Sequence, residues 1–582
     1  MKYLNELPAR TKAAFMRFPV TIIWSIVGSV YLAWMIGLDA RIFNEFTSLI
    51  FTLILGVSWL IGTQFLIESL RIYKYSWLLK FGVIGLLIIY YITFNEEDFD
   101  GNPILLTRWF LLFLAGHIFV FFAPFLKQWN KIDYWNYLQQ IVISITRAAL
   151  FTFVIFGGLA LAILAVDNLF NIHINDNVYG QLYVICLGII NTFIYLADFP
   201  EKIHNTQKLR YSKALDVFLK FILIPILIIY LIIVYAYAFK ILFLWELPQG
   251  WVSYLISILA IIGLIIQIII EPLRETHHNI LIRKFHPYFY ITLFPLLILF
   301  FVAIYTRIAD YNFTENRYFL VVLAFWILGL SLYMIFSKKK KLNIIPISLF
   351  ILIMLASYGP WSAFNISINA QAKELKEMVN KIKSNPQEII TLEEASQFRS
   401  ISRYLKERNH LNKLDASLGF KTSYVQNSYS AGEQLLDSLY GSERASRISS
   451  QTASGKKYYY YNQLNHKHQI NLDVKDYQTM VEVALNQNES HRYQISHRPN
   501  SLLVKDHEKK LFDVDIDSLL IKSLKKYPDF KNASQEELTY TFKNKEGTFS
   551  LILKNFRFNK VDETTLSFIH LGGYLLVNKN VE

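Results

Sequence analysis

Few residues in this chain have the means to do chemistry, and most of them sit in or beside apolar runs. His117 stands in Leu114-Ala115-Gly116-His117-Ile118, the deepest titratable position of its run. An imidazole there could relay protons or hold a ligand; its simpler option is a hydrogen bond to a neighbouring helix. Glu68, Asp198 and Glu271 close apolar runs, Arg147 lies about two turns inside one, and Lys220 opens another. Ionisable groups at membrane depth are costly and are candidates for function. These five are expected either to meet in one cluster or to sit hydrated at the interface, where long cationic side chains reach for water. Asn191 and Gln267 are uncharged and suited to joining helices. Arg108, Asp167, Lys240, Arg307 and Asp310 would lie toward the opposite helix ends.

The motifs of common enzymes are missing. No Gly-Lys-Ser/Thr follows a glycine-rich turn, and His507-Glu508 lacks the second histidine of a zinc helix. There is no Gly-x-Ser-x-Gly elbow. The acidic stretch Asn95-Glu96-Glu97-Asp98-Phe99-Asp100-Gly101-Asn102 lacks the alternating ligands and terminal Glu of a calcium loop. His277-His278 alone is weak as a metal site, and the single cysteine, Cys186, excludes paired-cysteine zinc sites and a disulfide framework. No catalytic, cofactor-binding or metal-binding residue is predicted, and the chain does not read as an enzyme.

The elements that must position these residues follow from composition. Of 582 residues, 53% are hydrophobic and 18% charged, against about 25% charge in soluble domains. Eleven apolar segments approach the ~20 residues a spanning helix needs: about 20–38, 46–67, 77–94, 104–126, 140–166, 178–198, 217–245, 250–271, 288–306, 318–336 and 342–358. They are continuous rather than alternating, so helices are expected, Pro225 being placed to kink the seventh. The first is too long for a cleavable signal peptide and no small-x-small site follows it. With the N-terminus in the cytoplasm, inner loops hold 19 Lys and Arg and outer loops hold 3, Arg41, Arg307 and Arg317. That bias is the positive-inside pattern. Eleven crossings then put the C-terminal part outside, in the periplasm of a bacterium with two membranes. The formal net charge of +13 largely reflects this bias, so no nucleic-acid partner is expected.

Composition shifts near residue 365. Residues 1–364 carry 27 basic and 19 acidic residues; residues 370–582 carry 31 and 26 in a shorter stretch without a spanning run. We therefore expect a mainly α polytopic bundle over 1–364 and a soluble α+β domain over 370–582. In the latter, residues 370–383 read as a helix broken at Asn385-Pro386. Thr391-Leu392-Glu393-Glu394 is a capping box before Leu392, Ala395, Phe398, Ile401 and Leu405 at helical spacing. Asp517 to Lys526 reads as an amphipathic helix. Ile470, Leu472 and Val474, and Leu551 and Leu553, read as strand faces. Tyr458 to Tyr461 reads as a strand with tyrosines on both sides, though such rings can also stack on glycans or bases. Gly572-Gly573 reads as the two-residue turn of a hairpin. His466, His468, His491, His497 and His507 show no ligand spacing.

Three stretches carry a resemblance. They are Arg307-Ile308-Ala309-Asp310-Tyr311-Asn312-Phe313-Thr314-Glu315-Asn316-Arg317-Tyr318, Gly359-Pro360-Trp361-Ser362-Ala363-Phe364, and Arg17-Phe18-Pro19. Glu271-Pro272-Leu273-Arg274 and Asp198-Phe199-Pro200 extend the pattern. Together they resemble the bacterial family "domain of unknown function 4153", which implies a polytopic inner-membrane protein and brings no catalytic residues. Physically, Thr314 could cap the following helix, with Glu315 at its positive end, and Arg307 and Arg317 could pair with Asp310 and Glu315. The stretch through Asn316 is then either an ion-paired turn or an outer-face ligand or docking site. The functional expectation is an envelope-assembly or sensory protein anchored in lipid, its outer domain binding a partner; the alternative is a transporter or lipid-handling protein, which would place charges around a mid-membrane cavity.

Overall fold

A computed structural model describes residues 2–579 apart from 39–45, 95–101, 201, 206–207, 210, 245–250, 273–279, 338–339, 386–389, 426, 441–457, 463–473, 486–491, 499–500, 508, 528–529, 531–532, 535 and 561–564. Arg41, the acidic stretch from Asn95 to Gly101, Leu273, Arg274, His277, His278, Pro386, His466, His468, Ile470, Leu472 and His491 lie outside the described residues. The chain divides into two compact units: Met1–Glu374 with Leu405–Leu414, and Leu375–Tyr404 with Asp415–Glu582.

The first unit is helical. Its elements are α1 (Lys2–Arg17), α2 (Pro19–Gly37), α3 (Thr47–Leu70), α4 (Ser76–Thr93), α5 (Pro103–Phe122), α6 (Lys131–Phe170), α7 (Asn177–Ala197), α8 (Lys213–Leu244), α9 (Trp251–Ile270), α10 (Ile280–Tyr311), α11 (Glu315–Phe336), α12 (Ile344–Ser357) and, as far as Glu374, α13 (Ala363–Ser384). The ten helices α2 to α11 are long and apolar enough to cross a membrane. This is a multi-pass membrane protein.

The eleventh expected segment is shorter than its hydropathy suggests. Helix α12 has 14 residues, or about 21 Å, against a hydrocarbon core of about 30 Å. Gly359, with φ at +91°, ends the segment on one side, and a non-helical turn precedes it on the other. Yet α12 runs antiparallel along α5. Asn343 Nδ2 donates to the Phe125 carbonyl at 3.1 Å, while the Arg108 guanidinium lies 5.1 Å from both the Tyr358 and the Phe364 ring centroids. Arg108 and Phe125 lie about 26 Å apart along the axis. With its flanking residues α12 therefore reaches from one end of a spanning helix to the other.

Helical irregularities have local causes. In α7 a π-turn covers Cys186–Ile190, and the Gly188 carbonyl accepts from the Ser25 hydroxyl of α2. A Cβ at Gly188 would fall 1.8 Å from Ser29 Oγ, so only glycine lets α2 come this close. In α8 a second π-turn, Leu219–Leu223, precedes Pro225. Proline lacks the N–H that would bond the Phe221 carbonyl and its ring crowds that group, so the chain widens by one residue rather than breaking.

The second unit is α+β. Helix α14 (Leu392–Glu407) opens with the expected box: Glu394 N–H donates to Thr391 Oγ1 at 3.2 Å, and Thr391 N–H to Glu394 Oε2 at 2.9 Å. It is followed by α15 (Ala431–Tyr440). The strands are β1 (Tyr458–Asn462), β2 (Thr479–Ala484), β3 (Tyr493–Arg498), β4 (Ser501–Asp506) and β5 (Lys509–Val514); after α16 (Ile516–Lys526) come β6 (Thr539–Asn544), β7 (Gly547–Lys560) and β8 (Leu566–Lys579). One antiparallel sheet runs β1-β7-β8-β2 with β6 also on β7; a second runs β3-β4-β5. Val483, Leu502, Val504, Ile516, Leu520, Leu551, Leu553 and Leu571 form their common core.

The expected hairpin at Gly572-Gly573 is not a turn. Both glycines lie inside the continuous strand β8, opposite a bulge between Leu553 and Asn555 of β7. A Cβ on Gly573 would come within 2.0 Å of the Ile552 carbonyl oxygen, so the pair answers a close backbone approach rather than a reversal.

Glu537 ties the end of α16 to the chain before β6. Its carboxylate accepts from Lys526 Nζ at 2.5 Å, from the Tyr527 hydroxyl, and from the Ser534 N–H at 3.0 Å. The Lys526 and Tyr527 bonds, with that from Ser534, pull its pKa from 4.5 to about 2. A depressed carboxylate stabilises the fold above its ordinary pKa and loses that contribution as pH falls toward the folded value. Replacing Glu537 with Gln should therefore lower the melting temperature at neutral pH. The gap from the parent protein should close between pH 4.5 and about 2, as read by thermal melts across that range.

Candidate functional site

The polar residues gather at the two ends of the helices. At the Phe125 end, Arg17 forms a two-pronged pair with Glu68, Nε to Oε1 at 3.0 Å and Nη2 to Oε2 at 2.6 Å. Its Nη1 donates to the Pro200 carbonyl at 2.8 Å. Gln64 adds a bond to Glu68 at 2.8 Å. The neighbouring Asp198 carboxylate is fully buried and faces Arg147 at 2.6 Å and Arg10 at 3.7 Å. Gln140 and Ser144 hold the Asp198 carbonyl at 3.0 and 3.2 Å. Beneath these charges Phe18, Phe65 and Phe199 meet with ring centroids 5.2 to 5.7 Å apart. Arg17-Phe18-Pro19 and Asp198-Phe199-Pro200 thus interlock around Glu68 and Phe65.

Glu271 and Lys220 belong to other pairs. Lys220 bonds Asp216 at 2.6 Å, one turn earlier in its own helix. Buried Glu271 faces Lys131 at 3.2 Å and His286 Nδ1 at 3.9 Å. His286 lies between Gln267 Oε1, 2.7 Å from Nδ1, and Lys340 Nζ, 3.1 Å from Nε2. An ammonium only donates, so Nε2 accepts and Nδ1 carries the proton toward Gln267. The five residues expected in one cluster therefore fall into three groups: Glu68, Arg147 and Asp198 with Arg10 and Arg17, Glu271 with Lys131, Gln267, His286 and Lys340, and Lys220 with Asp216. The His204 Nε2 to Pro124 carbonyl contact, 3.1 Å, and the Asn343 bond place the first two groups at the Phe125 end.

The opposite end is built on the turn between α10 and α11. Asn312 adopts φ of +56°, a left-handed conformation asparagine tolerates. Arg317 donates to the carbonyls of Tyr311 and Asn312 at 3.0 and 2.7 Å and lies over the Tyr311 ring. Gln371 of α13 donates to the Tyr311 and Phe313 carbonyls at 3.0 and 2.8 Å. The Tyr318 hydroxyl donates to the Trp361 carbonyl at 2.8 Å, joining the two resembling stretches. Thr314 occupies the cap position without a side-chain cap bond. Glu315 pairs not with Arg317 but with Arg408, Nε to Oε1 at 2.7 Å and Nη2 to Oε2 at 3.2 Å. Arg317 is spent on two carbonyls of the turn, which frees Glu315 for the more distant arginine. Asp310 and Asn316 are exposed and Arg307 half-buried; Arg307 and Asp310 act on Arg317 through their charges, and among the described residues no hydrogen bond or ion pair joins them to this turn. Arg108, Asp167 and Lys240 do not converge either: Asp167 accepts from the Ile174 N–H at 3.1 Å and Lys240 is exposed.

His117 stands apart from both ends. Its Nδ1 lies 2.8 Å from the Phe113 carbonyl of its own helix, and it lines a cavity of about 450 Å³ with Thr152, Asn191 and Tyr195. Asn191 receives the Thr152 hydroxyl at 3.3 Å, joining α6 to α7. The partners that complete the clusters, Arg10, His286 and Arg408, give no signal in local spacing, because each acts on a group far along the chain. Among the described residues no three His, Cys, Asp or Glu side chains converge as a metal site.

The Glu315–Arg408 pair is nearly shielded from solvent, with side chains 11% and 12% exposed. Breaking a buried pair strands the remaining charge. Glu315→Gln should cost about 2 to 3 kcal/mol, Glu407 at 3.7 Å from Arg408 softening the loss. Asp310→Asn should stay within about 0.5 kcal/mol. Chemical denaturation of the detergent-purified protein reads both.

Comparison with known proteins matches the sequence to a family rather than to an activity. The family described as "Domain of unknown function (DUF4153)" matches residues 49–380, which takes in the α10–α11 turn and leaves Arg17-Phe18-Pro19 outside. An uncharacterized protein of Pasteurella multocida is 25% identical over 344 residues, 59% of this chain. The chain spans about half, 55%, of that relative's length. No solved structure matches. With its family match covering more than half of its length, the chain belongs to the domain of unknown function 4153 family.

Proposed function

We propose that this is a bacterial inner-membrane protein with a cytoplasmic N-terminus, and that residues 370–582 form a periplasmic domain that binds an envelope partner in assembly or sensing. Residues 1–364 serve as its anchor. The observation that carries this reading is the placement of charge. Glu68, Arg147, Asp198 and Glu271 are engaged in ion pairs at one end of the helices, and Glu315 at the other. Arg147 and Glu271, which a transport pathway would bring together with His117 around one cavity, are not among the residues that line the His117 cavity. The Phe125 end also holds Arg10, Arg17, Lys131 and Lys340, the cation-rich side expected to face the cytoplasm. In this reading α12 is the eleventh crossing, and local bilayer thinning absorbs its short length.

Fusions of the whole preceding chain test the topology. A fluorescent protein after Lys341 should light up in cells, and alkaline phosphatase after Phe364 or after residue 582 should be active. Phosphatase silent at both later sites would overturn the periplasmic placement. A photocrosslinker at exposed Tyr429 or Met480 in intact cells should give a discrete adduct with an envelope protein. Lipid-facing Trp77 should give none. Adducts absent from both outer positions would remove the partner-binding reading.

A further inference from the structure

The cavity beside His117 is walled by Val57 of α3, Ile145 to Phe156 of α6, and Tyr183 to Tyr195 of α7. Its volume of about 450 Å³ falls within the range of small-molecule sites. The π-turn of α7 helps to make it. Ser25 holds the Gly188 carbonyl and bonds Thr192 at 3.2 Å, so α2 grips one side of the widened turn. The other side carries Asn191 and Tyr195 toward α6. Single-turn π segments recur at functional sites for this reason.

The lining has a specific polar character. It contains no Asp, Glu, Lys or Arg. Since a carbonyl only accepts, His117 Nδ1 donates to Phe113, which leaves Nε2 of the neutral ring an acceptor with no bond to a described residue. The Asn191 amide oxygen is taken by Thr152, and its NH₂ group makes no bond to a described residue. The His117 acceptor and the Asn191 donor thus line a space whose other polar groups without a bond to a described residue are the Tyr183 and Tyr195 hydroxyls and whose remaining wall is largely apolar. Around the mouth Ile145, Phe153, Tyr183 and Leu187 are 42%, 75%, 51% and 46% exposed, and in the bilayer that opening meets acyl chains. Unmet polar groups in hydrocarbon are costly. A plain alkyl chain would leave both unmet, and a charged headgroup would meet no charged side chain in the wall, Arg147 beside it being paired with Asp198. A hydroxyl supplies both the donor and the acceptor.

We propose that this cavity is a binding site for an uncharged, hydroxyl-bearing lipid, entered sideways from the membrane, with the hydroxyl between His117 and Asn191 and the chain along α6. The site is independent of the partner-binding reading above.

The test uses the full chain in lipid nanodiscs and a diacylglycerol with a photoreactive diazirine in its acyl chain. Labelled peptides should map to residues 145–156 and 183–195. His117→Phe removes the acceptor at similar volume and should reduce labelling about tenfold. Ala149→Trp, at an exposed lining position, should reduce it as much by filling the mouth. Both variants should keep the parent's melting temperature without probe. Unlabelled diacylglycerol should compete, and its O-methyl ether about tenfold less well. Labelling spread evenly over the spans, or unchanged in both variants, overturns the proposal. So does competition by phosphatidylglycerol stronger than by diacylglycerol, since that would select a charged head.

Discussion

A carboxylate drawn out of water must find its charge again in a partner, and two buried carboxylates, Asp198 and Glu271, set much of the order at one end of this bundle. Asp198 ends α7, yet its partners are Arg147 from α6 and Arg10 from α1. Glu271 follows α9 and faces Lys131 at the start of α6. Helix α6 therefore answers both acids, Glu271 from its first turn at Lys131 and Asp198 from Arg147 about four turns further on, and α1, α6, α7 and α9 are set in register by these charges. Such pairs add little net stability over apolar packing of the same volume. Their value is in position: a helix shifted by one turn, about 5.4 Å, would leave an acid buried without its cation.

Aromatic packing fixes the same end in a complementary way. Arg17 reaches Glu68 and the Pro200 carbonyl across the Phe18, Phe65 and Phe199 rings, and its guanidinium lies 5.2 to 5.3 Å from the Phe65 and Phe18 centroids. Proline follows phenylalanine in both short motifs. At Pro19 it occupies the first turn of α2, where no N–H is needed. At Pro200 it follows the end of α7 and offers a carbonyl but no donor, which suits an arginine. The motif is thus a device for bringing one charged layer and one apolar layer together at helix ends.

What could be read along the chain was whatever depends on near neighbours. Of the eleven apolar runs read as helices, ten are long helices and the eleventh a shorter one, because hydrocarbon enforces hydrogen bonding within each segment. Thr391 and Glu394 are three residues apart, so their mutual capping needs no further structure. The pairs that define the clusters are of another kind. Arg17 and Glu68 are 51 residues apart, Glu315 and Arg408 93 apart, and nothing in local spacing selects them over other pairings. Gly572-Gly573 misleads for a related reason. A glycine pair satisfies a tight turn and a close strand approach equally well, and only the bulge in β7 decides between them.

The distribution of charge also limits what the middle of the bundle can do. A relay or ion path across lipid needs ionisable or well-hydrated groups at successive depths. In this chain most described charge pairs of the helices lie near helix ends, and the polar groups lining the cavity are of the Thr, Asn, Tyr, Cys and His type. Neutral groups of this kind recognise a hydroxyl or an amide and do not stabilise a bare ion stripped of water. The same economy of charge that lets the helices sit in lipid therefore suits the interior to an uncharged amphiphile, and leaves charged recognition to the ends, where water is at hand.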